Sequence, residues 1–239
     1  MPRTTSDKNV LQITRWNLSC SLTFILAILL LVPAALAADK AKDEETLRNA
    51  NLVLQDMLNG NTISPALLSQ AKCVLILPGV KKFGFGVGGS GGRGPMLCRG
   101  GQSFKGKWSA PAMFSLGGAS IGLQVGGSST DFVLLLMNQK VVNQVLTGKT
   151  KMGTDATAAA GPGVTAASAS DVDILTYGRA KGAFAGVSLG GATVEPDNDA
   201  NHRLYDKTLT ATDIVRGGEV KPQGEGESLV AVLDKNVKK

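Results

Sequence analysis

The chain has 239 residues, of which 25 are Lys or Arg, 19 are Asp or Glu and 30 are Gly. Cys20 lies in an amino-terminal apolar segment, and one histidine with two cysteines that are 25 residues apart does not supply a zinc site. An aromatic content of 5% leaves little surface for stacking nucleic-acid bases. We therefore expect no metal centre, no cofactor and no nucleic-acid partner.

Residues 1–37 have the three parts of a secretory signal peptide: a positively charged leader, an apolar run over 18–36 and the cleavage triplet Ala35-Leu36-Ala37. The alternative is an uncleaved anchor, because the apolar stretch is nearly long enough to span a bilayer. The prediction is an exported protein, periplasmic or secreted and peripheral to a membrane. Its single domain is expected over 38–218, followed by a polar linker and tail helix over 219–239.

Helical spacing of apolar residues predicts an amphipathic helix over Glu44–Leu58, and Ser64 followed by Pro65 is typical of the start of a second, short helix. The apolar run over 74–77 predicts a buried strand that ends at Pro78, followed by a strand over 83–90 and a Gly-rich hairpin through Arg93. The run over 132–137 predicts a central strand. Further elements are a helix over 141–146, a strand over 172–177, a turn over 196–201, a short helix near 212–216 and the tail helix. The segment 154–170 fits either a strand pair or a loop.

An eight-residue phrase occurs at 83–90, 121–128 and 185–192, with apolar residues in the first, third and fifth places and glycine or another small or polar residue in the second, fourth and sixth. This period of two predicts three strands, each with one bulky and one nearly bare face. Glycine weakens a strand, so we expect a backbone, a helix or an acyl chain to lie against the bare faces. Gly122→Val should then destabilise more than Ala185→Val. The predicted fold is α+β: one domain with a curved, antiparallel, Gly-rich sheet, open or barrel-like, flanked by short helices.

Enzyme motifs are present only in part. Neither Ser90 nor Ser188, each within a GxSxG pattern, precedes a helix, and His202 lies too close to Ser188 to complete a triad. The GxGxxG match over 86–91 is not followed by a helix that could hold a pyrophosphate. Asp197 and Asp199 lack the other ligands of a calcium loop and are interpreted as turn residues. We expect a protein without catalytic residues.

Residues 57–130 contain no Asp or Glu but seven basic residues, and a surface of one sign attracts anions. The alternative is that these side chains are scattered around a rim and form no patch. Within this block Cys73 and Cys98 either pair as a disulfide or are separately buried, and Trp108 is either interfacial or in the core. The candidate lipid-binding residues are Lys72, Lys81, Lys82, Arg93, Arg99, Lys105, Lys107 and Trp108.

Seven segments, in order, resemble the bacterial branch of the SYLF family: AKCVLILPGVKK from Ala71, FGVGGSGGRG from Phe85, WSAPAM from Trp108, GGASIGLQ from Gly117, STDFVLLLMN from Ser129, YGRAKGAFAGVSLGGA from Tyr177 and DNDANHRLY from Asp197. The resemblance runs from about residue 44 to 218. It implies a non-enzymatic domain that binds anionic phospholipids, which are phosphoinositides for eukaryotic members. Fungal members also bind actin.

Two features depart from the family pattern. Eukaryotic members meet the membrane through a basic amphipathic helix, whereas the corresponding helix is acidic here, with Asp43, Glu44, Glu45 and Asp56. Gly190 stands where many members have Glu. The expected lipid contact is therefore the acid-free block, with an anionic membrane or a bound lipid as partner. The alternative function is an envelope-associated structural module that binds a protein and meets lipid only incidentally.

Overall fold

A computed structural model describes residues 38–101, 103–148, 150–152, 157–160, 172–180, 183–184, 189 and 191–237; within these ranges the side chains of 85–87, 120–126, 157–160 and 183–184 are not described. The predicted leader and most of 154–170 therefore lie outside the described residues. Contacts divide the chain into residues 1–42 and 43–239. In the first unit, residues 38–42 are helical and Lys42 pairs with Asp39. Apart from these first residues of the first described helix, all that follows concerns the second unit.

The described helices precede, interrupt and follow the run of strands. Helix α1 covers residues 38–59, α2 Pro65–Gln70, α3 Gln139–Thr147, α4 Asn198–Tyr205 and α5 Glu225–Val237, with a π-helical turn over Asp213–Gly217. The Ser64 side chain caps α2 by accepting from Leu67 N at 3.2 Å, as its sequence indicates. The predicted turn over 196–201 is wrong in part. Asp197 caps α4, and its carboxylate accepts from Ala200 N at 3.0 Å, so the exposed His202 lies on a helix.

Seven strands form one sheet: β1 Cys73–Cys98, β2 Ala112–Leu136, β3 Thr150–Lys151, β4 Thr157–Ala160, β5 Ile174–Ala180, β6 Ala183–Phe184 and β7 Thr193–Pro196. Strand β2 is central: β1 pairs along one edge, and β7 and then β5 pair along the other. All described pairings are antiparallel except β4 with β5. The predicted α+β class with a curved, mainly antiparallel sheet is confirmed.

Strand β1 is far longer than the sequence predicted. Pro78 does not end it, because a register shift between Leu77 and Val80 absorbs the proline, with Gly79 at φ +58°. The Gly79 N–H then donates to the Asp131 carboxylate at 2.8 Å. The predicted glycine hairpin through Arg93 is also strand, and β2 likewise joins the two strands predicted for it.

The first two glycine phrases pair with each other, Phe83 opposite Gly127 and Val87 opposite Ile121. The third is not a strand where it is described: Leu189, Gly191 and Ala192 form a turn, in which Ala192 N donates to Leu189 O at 3.0 Å. Its first four residues, including Ala185, and the surroundings of Gly122 lie outside what is described.

The close-approach explanation for the glycines holds at some positions and fails at others. A Cβ at Gly94 would overlap the Ile76 carbonyl, and one at Gly118 would lie 2.9 Å from Ala192 Cα. By contrast, nothing lies within 4 Å of a Cβ at Gly117. Strand β1 bends back on itself at Gly94, the turn at Ala192 lies against Gly118, and the space beside Gly117 is open.

Both faces of the sheet are covered, which explains the unbroken apolar runs. Alternate residues of 73–77 enter two separate clusters. Cys73, Leu75 and Leu77 join the cluster under α3, whereas Val74 and Ile76 join the one under α1, α2, α4 and α5. We call these the α3 face and the α1 face. No described helix is long and apolar enough to cross a bilayer.

Candidate anion-binding cleft

The two ends of β1 meet. Cys73 and Cys98 form a disulfide with a Cα–Cα distance of 4.0 Å, although 25 residues of extended chain would span about 80 Å. The neighbouring residues continue the contact, since Arg99 N donates to Lys72 O at 2.9 Å. Strand curvature therefore brings together basic residues from opposite ends of one strand.

Around this junction lies a cleft of about 390 Å³, which we call the basic cleft. It is lined by Ser69, Gln70, Lys72, Arg99, Phe104, Lys105 and Met137. Three of these are candidate lipid-binding residues, and none is acidic. In the described part of the chain, neither Lys72 nor Lys105 forms an ion pair. Three cations without a carboxylate create a local positive potential suited to a phosphate-sized anion.

Arg99 holds the cleft in shape. Its guanidinium donates to Ser69 O at 2.8 Å, to Lys105 O at 3.2 Å and to Gly106 O at 3.3 Å. These carbonyls belong to the end of α2 and to the loop after β1, so one side chain joins both walls. Its charge is not neutralised by a carboxylate and still adds to the potential of the cleft.

Phe104 forms the apolar wall and has a left-handed backbone at φ +54°. The Arg216 guanidinium lies 4.3 Å from the centre of its ring, a cation–π contact. Sequence reasoning missed Arg216, because it lies outside the acid-free block and comes near only through the fold.

A second cleft, of about 800 Å³, lies between α1 and the sheet; we call it the α1 cleft. Its lining includes the candidate residues Lys81 and Arg93, but also Asp56, Asp131 and Arg179. The Arg179 guanidinium donates to both carboxylates at 2.9 Å, and the hydrogen bond with Asp56 is the main reason that its pKa is raised. Mixed charge makes this cleft less suited to an anion than the basic cleft.

Arg93 has an internal role. It donates to the fully buried Asp43 at 2.7 Å and to Asp197 at 2.9 Å, and Arg203 donates to Asp43 at 2.7 Å. The acidic start of α1 thus includes a carboxylate that two arginines hold in the core. The sequence gives no sign of this, because the partners are 50 and 160 residues apart.

The remaining candidates are dispersed. Lys107 is exposed in the loop after β1, and Lys82 is half-buried, with its ammonium 5.9 Å from the centre of the Phe132 ring. Burial lowers the pKa of Lys82. Trp108 is 5% exposed and lies among core residues, the alternative that the sequence left open, and the Arg99 guanidinium is 5.9 Å from the centre of its ring.

The described residues thus form a curved α+β domain with a basic cleft and without a group of three or more His, Cys, Asp or Glu able to hold a metal ion. Residues 117–236 match the family described as Ysc84, Las17-binding protein actin regulator, and the chain belongs to this Ysc84/SYLF family. The family expected from the motifs is therefore confirmed, whereas its bacterial branch stays a prediction.

Curated relatives come from fungi and animals. The SH3 domain-containing protein PJ696.02 of Schizosaccharomyces pombe is 31% identical over 86% of this chain and 49% of its own length. Protein YSC84 of Saccharomyces cerevisiae is 31% identical, over 85% and 44%. The human SH3 domain-containing YSC84-like protein 1 is 29% identical, over 85% and 60%. The chain spans about half the length of the curated relatives it matches, and these are named as domain-containing or binding proteins.

Proposed function

We propose that this protein is a non-enzymatic lipid-binding domain that holds the phosphate head group of an anionic phospholipid in the basic cleft. The observation that carries the proposal is the convergence of Lys72, Arg99 and Lys105 on one cleft without an acidic residue. A basic residue near an anionic bilayer contributes about 1 kcal/mol of binding free energy. Three such residues in one cleft favour the binding of a single phosphate head group at that place over a diffuse layer of counterions.

The proposal extends to the place of action. The signal-like sequence over residues 1–37 supports export, so that the domain would act in the periplasm or outside the cell, peripheral to a membrane. The α1 helix is not expected to hold the head group, because residues 38–59 contain five acidic side chains against three basic ones. Determining the amino-terminal residue of the protein purified from its own cells tests the export step, with Ala38 expected.

The test of lipid binding is co-sedimentation with vesicles. We expect binding to phosphatidylserine or phosphoinositide vesicles, weaker binding to phosphatidylcholine vesicles, and loss of the difference at high salt. Lys72→Gln with Lys105→Gln should weaken binding to anionic vesicles by on the order of tenfold or more. Arg99 is left intact, because its hydrogen bonds shape the loop.

The matched control is Lys140→Gln with Lys207→Gln, which removes the same charge from exposed positions outside the cleft. This pair should bind anionic vesicles nearly as the parent does. Equal binding of the parent to both kinds of vesicle, or equal loss in the two double variants, would contradict the proposal.

Protein binding is the second candidate function. The observation in its favour is the family description, which names Las17 binding and actin regulation for relatives. For this chain it would mean an envelope-associated module with a protein partner. Native mass spectrometry after gentle extraction separates the two functions: a co-purifying lipid supports the first, and a co-purifying protein without lipid supports the second.

A further inference from the structure

Two large apolar side chains are exposed among the described residues: Phe83 on β1, 67% exposed, and Leu52 on α1, 54% exposed. The other large apolar side chains of the described residues are buried or partly buried. Neither exposed residue takes part in the basic cleft. The head-group site therefore does not explain why these two apolar side chains are exposed.

Phe83 and Leu52 lie on the same side of the sheet. From Val80 to Phe85 the pairing with β2 is regular, so side chains alternate between faces. Val80 belongs to the cluster on the α3 face, which places Lys81 and Phe83 on the α1 face. Lys81 lines the α1 cleft together with Leu52.

The Phe83 ring rests against a glycine. A Cβ placed on Gly89 would lie 2.9 Å from the ring Cζ, so the ring occupies space that any side chain at position 89 would take. The ring is thus packed on one side and open to solvent on the other. One function of the glycine phrase is to seat this aromatic side chain at the surface.

We propose that Phe83, with Leu52 and the exposed Lys81, inserts into the interfacial region of an anionic lipid bilayer; this inference rests on the proposed lipid-binding function. Two apolar side chains around a polar cleft are too few for the hydrophobic core of a stable protein interface. Interfacial insertion needs only a small apolar contact, and a neighbouring lysine adds attraction to anionic lipids.

The α1 face also borders the basic cleft, because Ser69 and Gln70 of the cleft wall lie at the end of α2, and α2 packs on this face. Lys72 and Lys81 are nine residues apart on the chain, about 30 Å if extended. A head group in the basic cleft and an inserted Phe83 would thus be separate contacts made by one side of the domain.

The test uses the full chain with Trp16→Phe, which leaves the buried Trp108 as background. Phe83→Trp is added in one variant and Gln144→Trp, on an exposed position of α3 on the opposite face, in a matched control. Each is mixed with phosphatidylserine vesicles containing brominated lipid. We expect the fluorescence of the Phe83→Trp variant to shift to the blue and to be quenched, and that of the Gln144→Trp variant to stay unchanged.

A second measurement follows binding itself. Phe83→Ser should weaken co-sedimentation with anionic vesicles by on the order of tenfold, and Phe83→Leu should restore most of it. If the Phe83→Trp variant sediments without being quenched, or if both tryptophan variants are quenched equally, the insertion is refuted while the proposed function stands. If the parent does not sediment with anionic vesicles, both are refuted.

Discussion

Gly94 is the position where the bend of β1 is most sensitive to a side chain. A methyl group there would overlap the Ile76 carbonyl oxygen and lie 2.8 Å from its carbonyl carbon and 3.1 Å from Leu77 Cα. These are backbone atoms of a buried strand, so they cannot rotate away as a side chain would. Overpacking of a core costs roughly 1 to 3 kcal/mol, and contact with backbone places Gly94→Ala at the upper end or above.

Gly117→Ala is the control, because nothing lies within 4 Å of its added methyl group and its backbone φ is not positive. Replacing glycine at such a site stabilises a protein by about 0.4 to 1 kcal/mol through the unfolded chain. The free energies of unfolding of the two variants, measured in urea, should therefore differ by about 3 kcal/mol. In a domain of this size, the melting temperatures should differ by several degrees. If Gly94→Ala unfolds like the parent, the strand does not double back as described.

Two other predictions concern buried polar groups. Asp43→Asn should lower the free energy of unfolding in urea by about 3 kcal/mol, because it removes the buried negative charge to which Arg93 and Arg203 both donate. Asp199→Asn, at an exposed position of α4, should change it little, and equal effects would contradict this. Tyr177→Phe should stabilise the fold by about 1 kcal/mol, because the buried hydroxyl has no hydrogen-bond partner among the described residues. Burial also raises the pKa of Tyr177 to about 12. As the pH rises, the tyrosine therefore loses its proton first in the unfolded chain, and the free energy of unfolding falls above about pH 10. The Tyr177→Phe variant should lack this part of the alkaline loss of stability, and an equal loss in that variant would contradict a buried phenol.

Local chemistry predicted most of the helices but missed α4, whose first residues were interpreted as a turn. Ser64 before Pro65 and the amphipathic pattern of α1 are short-range signals, and both helices are present in the structure. The ends of the strands were harder to predict. Pro78 and the glycine run are typical of a strand end and a turn, but they are equally typical of a bulge and a bend within one strand. Only the pairing of β1 with β2 distinguishes a broken strand from a bent one.

The candidate site was likewise predicted only in part from the sequence. Absence of acidic residues over 57–130 indicated the basic side chains, but not their destinations. Lys72, Arg99 and Lys105 meet because β1 returns to its starting point, whereas Arg93 is drawn inward by Asp43, which is 50 residues away. A partner at such a distance leaves no trace in spacing, so sequence alone could not separate a structural arginine from a surface one.

The β1–β2 hairpin has a consequence for the order of folding. Met96 and Ala112, near its loop, are 16 residues apart in the chain, whereas the last pair, Cys73 and Leu136, is 63 apart. Loop closure costs more entropy for longer separations, so we expect pairing to start at the loop and to proceed toward Cys73. Lys72 N donates to Leu136 O at 2.8 Å, just beyond that final pair. A nascent chain would therefore complete the wall of the basic cleft that contains Lys72 only at the end of hairpin formation.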